Sequence, residues 1–191
     1  MMSYNVTQKI FDGGFHHSII RKYFTMHGDF KLILKKFIMF PMFQELTPEN
    51  PVDKCGHHHT ICIDLNHQHF EVIDSMQSGD ARFTTHAKFF IQNLKETWRL
   101  HYGSSKVQIS QYPTEYIMTT KQSNGCDCGY CMMEYLTKWK GRRVPVITDA
   151  SVAELHKILT WNLVTNLEFN KWPGARDFME GAVKTANKKY R

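Results

Sequence analysis

The alternation of hydrophobic and polar positions is clearest in two stretches of the chain. Residues 82–102 carry apolar side chains at helical spacing, which predicts a long amphipathic helix. Residues 57–65 and 69–75 are two β-rich runs joined by a short polar turn near Asn66, which predicts a β-hairpin. The apolar stripe of the helix is predicted to be core and not a ligand site; it consists of Phe83, Ala87, Phe90, Ile91, Leu94 and Trp98.

Weaker patterns fill the rest of the chain. Residues 37–43 are apolar and aromatic enough for a buried strand, and Pro41 indicates a sheet edge or a bulge. A final helix is predicted from Ser151, whose spacing to Glu154 is that of a capping box. Its predicted buried side consists of Val152, Leu155, Leu159 and Leu163. The other predicted elements are a helix over 15–26, a helix or strand over 29–36, a strand over 106–111 and a helix directly after Cys128.

The register of the predicted hairpin decides which histidine meets a carboxylate. Side chains alternate between faces with period two. If the turn centres on residues 65–66, His57 lies opposite Asp74. A register shifted by two residues in total would place His59 opposite Asp74 instead. Parity therefore excludes His58 and leaves His57 and His59 open.

A loop rich in glycine and cysteine, QSNGCDCGYC, leads into the helix that follows it. Cys128 falls where that helix begins, with Asp127 as the predicted N-cap. Free backbone N–H groups and the helix dipole stabilise a thiolate at this place, so Cys128 is a candidate nucleophile. Gln122, six residues earlier, could aim its side-chain amide at a developing oxyanion.

Composition narrows the class of protein. A chain of 191 residues that is 42% hydrophobic can bury one full core, so we expect a single domain. The sequence has no apolar run of membrane-spanning length and no signal-peptide layout, which predicts an intracellular protein with five reduced cysteines. The net charge of +6 comes from scattered residues, so the sequence does not favour nucleic acid as a partner.

The run HHHTICIDLNHQHFEVIDSM, followed by QSNGCDCG, resembles the ubiquitin-like-protein-specific (SUMO-specific) cysteine protease family of the adenain-like type, and its divergent plant members in particular. That family has a hairpin of the form H-W-x-L-x-x-I-D-L that ends in D-S, and its nucleophile lies in a Q-x-x-G-x-D-C-G loop. The family separates histidine from aspartate by seventeen residues, and 74 − 57 = 17, so the resemblance selects His57 over His59. The loop matches at Gln122, Gly125, Asp127, Cys128 and Gly129.

The resemblance implies a papain-like α+β fold with a central mixed sheet flanked by helices. It implies one protease domain over residues 1–191, with a divergent or truncated part over about 1–36 and a helical extension over about 149–191. The implied activity is cleavage after the C-terminal Gly-Gly of a SUMO-like modifier or its conjugates, without a cofactor, in the nucleus or cytoplasm. The implied catalytic residues are Cys128, His57, Asp74 and Gln122.

Departures from the family pattern keep two other hypotheses open. His58 and Thr60 stand where the family has Trp and Leu, and residues 1–36 contain no W-L-x-D segment. These departures favour a weakened enzyme or a domain that binds a ubiquitin-like protein without cleaving it. A structural metal site is the third hypothesis, with candidate ligands in two clusters: Cys55, His57, His59 and Cys62, or Cys126, Cys128 and Cys131.

Overall fold

A computed structural model of the chain describes residues 1–25, 30–46, 55–77, 81–141 and 145–165. The chain forms two compact units, Met1–Ile147 and Thr148–Arg191. Among the described residues, none of the helices combines the length and the apolarity that a membrane crossing needs.

The first unit is built around a mixed sheet of four strands. The strands lie in the order β1 (Phe37–Leu46), β2 (Cys55–Asp64), β3 (His69–Ile73) and β4 (Thr114–Ile117). The first three are antiparallel, and β4 runs parallel to β3. The predicted α+β fold with a central mixed sheet is confirmed. Pro41 lies in β1, an edge strand, where a missing N–H is tolerated.

Helices cover both faces of the sheet. Helices α1 (Tyr4–Phe11), α2 (Ser18–Tyr23) and α3 (Ala81–Tyr102) contribute to the main hydrophobic core on one face, and α4 (Cys128–Lys138) packs on β2 from the other. The stripe of α3 is buried as predicted at Ala87, Phe90, Ile91, Leu94 and Trp98, whereas Phe83 is half-buried.

The two faces of the sheet differ in chemistry. The face toward α1–α3 is apolar, with Ile61 and Phe70 fully buried in the core. Because neighbouring side chains on a strand point to opposite faces, the next residues, Cys62 and Glu71, lie on the face toward α4. Both of these are also fully buried. The Glu71 carboxylate therefore needs hydrogen-bond partners within the protein on the face toward α4.

The structure decides between the two hairpin registers that parity left open. Thr60 pairs with Ile73, and continuing this ladder by one position places His59 opposite Asp74. The register shifted by two residues in total therefore occurs, and His57 does not lie opposite Asp74 across the ladder.

The turn explains the shift. It spans residues 65–68, and Asp64 pairs with His69 to close it. The Asp64 carboxylate accepts hydrogen bonds from the backbone N–H groups of Asn66 at 3.0 Å and His67 at 2.9 Å. Gln68 takes a left-handed φ of 60°, which completes the longer turn.

The predicted strand over residues 106–111 is wrong. These residues form turns and loop, and the strand begins only after Pro113, whose carbonyl accepts from the Phe70 N–H at 2.8 Å. The apolar side chains of this segment have the spacing of a strand because they are buried. They pack against the core without joining the sheet. The Val107 carbonyl, for example, accepts from the Trp98 indole at 2.9 Å.

The N-terminal residues are more ordered than their weak pattern indicates. Helix α1 was not predicted; Ser3 caps it by accepting from the Val6 N–H at 3.4 Å. The predicted helix over 15–26 is limited to α2 within the described residues, and only a 3-10 turn, Leu32–Leu34, forms in the described part of 29–36.

The second unit contains helix α5 (Asp149–Thr165). Thr148 and Ser151 exchange hydrogen bonds at its start: the Thr148 N–H donates to Ser151 Oγ at 3.0 Å, and the Ser151 N–H donates to Thr148 Oγ1 at 3.1 Å. The helix begins at Asp149, two residues before the predicted start near Ser151. The predicted capping pair of Ser151 with Glu154 is wrong, because Thr148 and Ser151 form that pair instead. Leu163, predicted to be buried, is 61% exposed.

Candidate active site

Cys128 is the first residue of α4 and is buried. Asp127 occupies the N-cap position, but its backbone has φ −87° and ψ 4° instead of the extended conformation of a side-chain cap. The predicted N-cap position is confirmed, but the Asp127 side chain makes no cap hydrogen bond. The carboxylate instead accepts from Asn124 Nδ2 at 2.7 Å.

Asn124 shapes the loop that delivers Cys128. Its Oδ1 atom accepts from the backbone N–H groups of Cys126 and Asp127, both at 3.0 Å. An asparagine that bonds the backbone two residues ahead forms a tight turn. The Asn-Gly pair was the sequence signal for this role, which the sequence reasoning did not assign.

The environment of the Cys128 sulfur favours a thiolate. The His58 backbone N–H donates to Sγ at 3.4 Å. Burial raises the pKa of Cys128, but the His57 side chain and the backbone N–H groups of His58 and Gly129 outweigh it, so the pKa is lowered.

His57 lies between Cys128 and Asp74. Its Nε2 atom is 2.9 Å from Asp74 Oδ1, a contact diagonal to the ladder. Because an ionised carboxylate can only accept, Nε2 carries the proton and the other ring nitrogen is left for the thiol. His57 Nδ1, the nitrogen on the side of the thiol, has no hydrogen bond of good geometry among the described residues. Burial lowers the pKa of His57, but Asp74 and Cys128 outweigh it and raise the pKa to about 9.

His59 does not bond the carboxylate, although it is the residue opposite Asp74. Its ring is stacked beside that of His57, with centroids 5.7 Å apart. Neither ring nitrogen has a hydrogen-bond partner among the described residues. Burial, followed by the charges of His57 and His86, lowers the pKa of His59 to about 3. His59 is therefore neutral at pH 7.

Asp74 is fixed by the segments around it. Its Oδ1 atom also accepts from the Met76 N–H at 2.8 Å, and its backbone carbonyl accepts from Thr119 Oγ1 at 2.7 Å. Burial raises the pKa of Asp74, but the bonds from His57 and Met76 outweigh it and lower the pKa. The carboxylate is therefore ionised at neutral pH.

Gln122 is oriented by Ser75, a residue that sequence reasoning did not select. The buried Ser75 hydroxyl donates to Gln122 Oε1 at 2.5 Å, and the Ser75 carbonyl accepts from the Gln122 N–H at 2.9 Å. Gln122 Nε2 donates to the Asn124 carbonyl at 2.6 Å. The amide is thus held with its N–H groups toward the cysteine loop.

Two aromatic neighbours complete the site. Phe83 of α3 packs on His57 with ring centroids 4.6 Å apart, although its position in the stripe predicted core alone. His58 packs on Phe43 at 4.8 Å, and a Cβ added at Gly129 would lie 3.4 Å from the His58 ring. The imidazole of His58 therefore lies against the first turn of α4.

The predicted metal clusters do not converge among the described residues. Alternation places His57 and His59 on one face of β2 and Cys62 on the other, and nothing is described of the Cys55 side chain. Cys126 is exposed, whereas Cys128 and Cys131 are buried. The described group whose donor atoms do converge is a different one: Asp64, His69 and Glu71.

No protein-family model matches the sequence, and no curated protein matches it. Solved structures do. The C-terminal Ulp1 protease domain in complex with Smt3, the yeast ortholog of SUMO, has a TM-score of 0.54 at 16% identity, covering 80% of this chain and 61% of that one. The chain has a Ulp1-like cysteine protease fold. It spans about three-fifths of the length of that domain.

Two further structures match less well. The SUMO protease Ulp1 with its catalytic cysteine oxidised to a sulfenic acid has a TM-score of 0.48 at 16% identity, covering 69% of this chain and 53% of that one. The effector ChlaDUB of Chlamydia abortus has a TM-score of 0.38 at 13% identity, covering 67% and 58% respectively.

Proposed function

We propose that this protein is a cysteine peptidase that cleaves after the C-terminal Gly-Gly of a ubiquitin-like modifier. The observation that carries the proposal is the placement of His57 between the Cys128 thiol and the Asp74 carboxylate. Cys128 itself is the first residue of a helix. Three groups in this order are what acyl transfer by a cysteine requires.

The first step in this proposal is formation of the nucleophile. His57 takes the thiol proton on the ring nitrogen that Asp74 does not use. The raised pKa of His57 and the lowered pKa of Cys128 favour a thiolate and an imidazolium together at neutral pH. Asp74 holds the tautomer and stabilises the positive charge.

The thiolate then attacks the carbonyl carbon of the terminal glycine, and the carbonyl oxygen becomes an oxyanion. The Cys128 backbone N–H, at the start of α4, and Gln122 Nε2 are the donors assigned to this oxygen. Ser75 would serve as a positioning residue, because it fixes which end of the Gln122 amide faces the loop.

Collapse of the intermediate breaks the C–N bond. The His57 imidazolium gives its proton to the leaving amine, and the acyl group stays on Cys128 as a thioester. His57 then takes a proton from water, which attacks the thioester; the modifier leaves with a free carboxylate and the proton returns to the thiol.

The test uses modifier probes with an electrophile in place of the terminal carboxylate. SUMO and ubiquitin probes are each incubated with the full chain, and the labelled residue is identified by mass spectrometry. Labelling of Cys128, lost in Cys128→Ala and kept in Cys126→Ala, is the expected result. The exposed Cys126 is a matched control two residues away.

The second candidate is a domain that binds the modifier without cleaving it. The observation in its favour is His58, a polar ring packed on Phe43 where the resembling family has an indole. Binding of an unmodified probe, measured by calorimetry, without Cys128 labelling would establish this candidate and exclude the peptidase. Absence of both binding and labelling in folded protein would exclude both.

A further inference from the structure

A second histidine–carboxylate cluster lies at the other end of the β2–β3 hairpin. Asp64, His69 and Glu71 are all buried on the face toward α4, with no more than 1% exposure each. One donor atom from each lies within 4.8 Å of the other two. Asp64 is seven residues from His57 along β2, about 23 Å at strand spacing, so the cluster is separate from the candidate active site.

Hydrogen-bond donors of the protein hold one oxygen of each carboxylate, Asp64 and Glu71, in place. Asp64 Oδ1 accepts from two backbone N–H groups in the hairpin turn. Glu71 Oε2 accepts from the Trp139 indole at 2.8 Å. The remaining oxygens meet imidazoles: Glu71 Oε1 lies 3.1 Å from His69 Nε2, and Asp64 Oδ2 lies 2.8 Å from His67 Nδ1. Such support is typical of side chains that ligate a metal.

The cluster is short of positive charge. Two buried carboxylates require a cation or shared protons, because neither is solvated by water. Among the described residues, the ion-pair partners of Asp64 and Glu71 are histidines and not Lys or Arg.

We propose that Asp64, His69 and Glu71 bind a divalent zinc-class metal ion. An imidazole nitrogen with two carboxylate oxygens suits zinc, whereas magnesium and calcium prefer oxygen ligands alone. Tetrahedral ligands with bonds of about 2.1 Å lie about 3.4 Å apart, close to the observed 3.1 Å between His69 and Glu71. The separations between donor atoms are at most 4.8 Å, so none has to close by more than about 1.4 Å on binding.

The fourth ligand comes from the solvent side of the cluster. The His67 side chain is 53% exposed and contacts Asp64, and Glu115 Oε2 lies 3.9 Å from His69 Nε2. Through Glu71 and the Trp139 indole, the ion would fasten the hairpin turn to the end of α4. The ion therefore has a structural role and supplies no group to Cys128.

The test measures metal binding without using activity. The full chain with Cys128→Ala, which removes a competing thiolate, is stripped with a chelator and titrated with zinc chloride or magnesium chloride by calorimetry. One zinc ion per chain, no magnesium binding and a rise of several degrees in the melting temperature are expected. Glu71→Gln and His69→Gln should weaken zinc binding at least tenfold. Glu96→Gln, on the exposed side of α3, is the matched control and should not.

Cobalt substitution tests the site without altering its ligands. A visible spectrum of Co²⁺ bound through nitrogen and oxygen supports the proposal, even where a variant fails to fold. A thiolate-to-cobalt charge-transfer band would place the metal on cysteines and overturn it. Zinc affinity no tighter than millimolar in the folded chain would also overturn it, because the carboxylates would then be held by protons or by a cation of the chain.

Discussion

Each end of the β2–β3 hairpin carries a histidine–carboxylate pair, and the two pairs have different third neighbours. At one end His57 lies 2.9 Å from Asp74, and at the other His69 lies 3.1 Å from Glu71. The third group differs: the first pair adjoins the Cys128 thiol, and the second adjoins the Asp64 carboxylate. An imidazole beside a carboxylate therefore adjoins a thiol at one end and a second carboxylate at the other.

The comparison shows that a histidine–carboxylate pair does not define a site by itself. A thiol can give up its proton to the imidazole, so the first end can form a nucleophile. A second buried carboxylate adds negative charge where the first end has a thiol, so the second end favours a bound cation instead.

The largest expected effect separates the two ends functionally. His57→Gln should lower kcat/KM on a modifier–fluorophore conjugate roughly a thousandfold, as expected for losing a member of a catalytic triad, and leave zinc affinity intact. His69→Gln should do the reverse, with kcat/KM within about threefold of the unchanged chain. A large loss of hydrolysis in His69→Gln would show that the ends are not independent.

His59→Ala is the matched control for His57. The two rings are stacked, but only His57 bonds the carboxylate, so His59→Ala should cost much less hydrolysis. Far-UV circular dichroism establishes that each variant is folded. If His59→Ala abolished hydrolysis and His57→Ala did not, the assigned base would be wrong.

A smaller effect on hydrolysis is expected at His58, whose ring lies beside Cys128. An indole in place of His58 covers more of a glycine tail than an imidazole does and excludes water better. His58→Trp should raise kcat/KM by about ten- to a hundredfold, because one aromatic contact contributes on the order of 1–3 kcal/mol. Steady-state hydrolysis by both proteins checks this. An unchanged rate would move the deficit to the divergent residues 1–36.

Two glycines test how tightly the thiol end is packed. A Cβ at Gly56 would lie 2.0 Å from Phe43 Cε2, whereas one at Gly125 would meet nothing within 4 Å. Gly56→Ala should therefore lower the free energy of unfolding in urea by about 1 kcal/mol, the lower end of the range for overpacking, since the half-buried Phe43 ring can move. Gly125→Ala should change it little. Equal effects would contradict the packing described around Phe43.

The pH dependence gives the smallest and most local test. As pH rises above the lowered pKa of Cys128 the thiolate forms, and as pH rises through about 9 His57 loses the proton needed by the leaving group. Hydrolysis should therefore reach its maximum between these values. Alkylation of Cys128 should begin below the usual pH for cysteine and shift upward in His57→Gln. An alkylation profile that does not shift in His57→Gln would contradict the proposed ion pair between the Cys128 thiolate and the His57 imidazolium.

Sequence by itself determined the parts of the molecule that depend on near neighbours. The stripe of α3, the hairpin, Pro41 at a sheet edge and the helix that begins at Cys128 all follow from spacings of a few residues. Periodicity and turn chemistry act over that range. The α+β class itself was predicted from the resemblance of the two motifs to a known family.

Tertiary structure decided which side chains meet. Parity could not choose between His57 and His59, and the register that occurs places His59 opposite Asp74. His57 reaches Asp74 diagonally, a contact that strand pairing does not predict. The packing of the His57 ring against Phe83 of α3 joins distant segments, so no local sequence pattern predicts it.

The same holds for contacts between distant segments. Ser75 orients Gln122 across 47 positions of the chain, and the Trp139 indole reaches Glu71 across 68. The packing of α4 on the sheet creates the second of these contacts, and it also covers the carboxylate cluster that no sequence motif indicated. Helix and strand signals act over a few residues, whereas burial of polar groups is settled only when whole elements pack together.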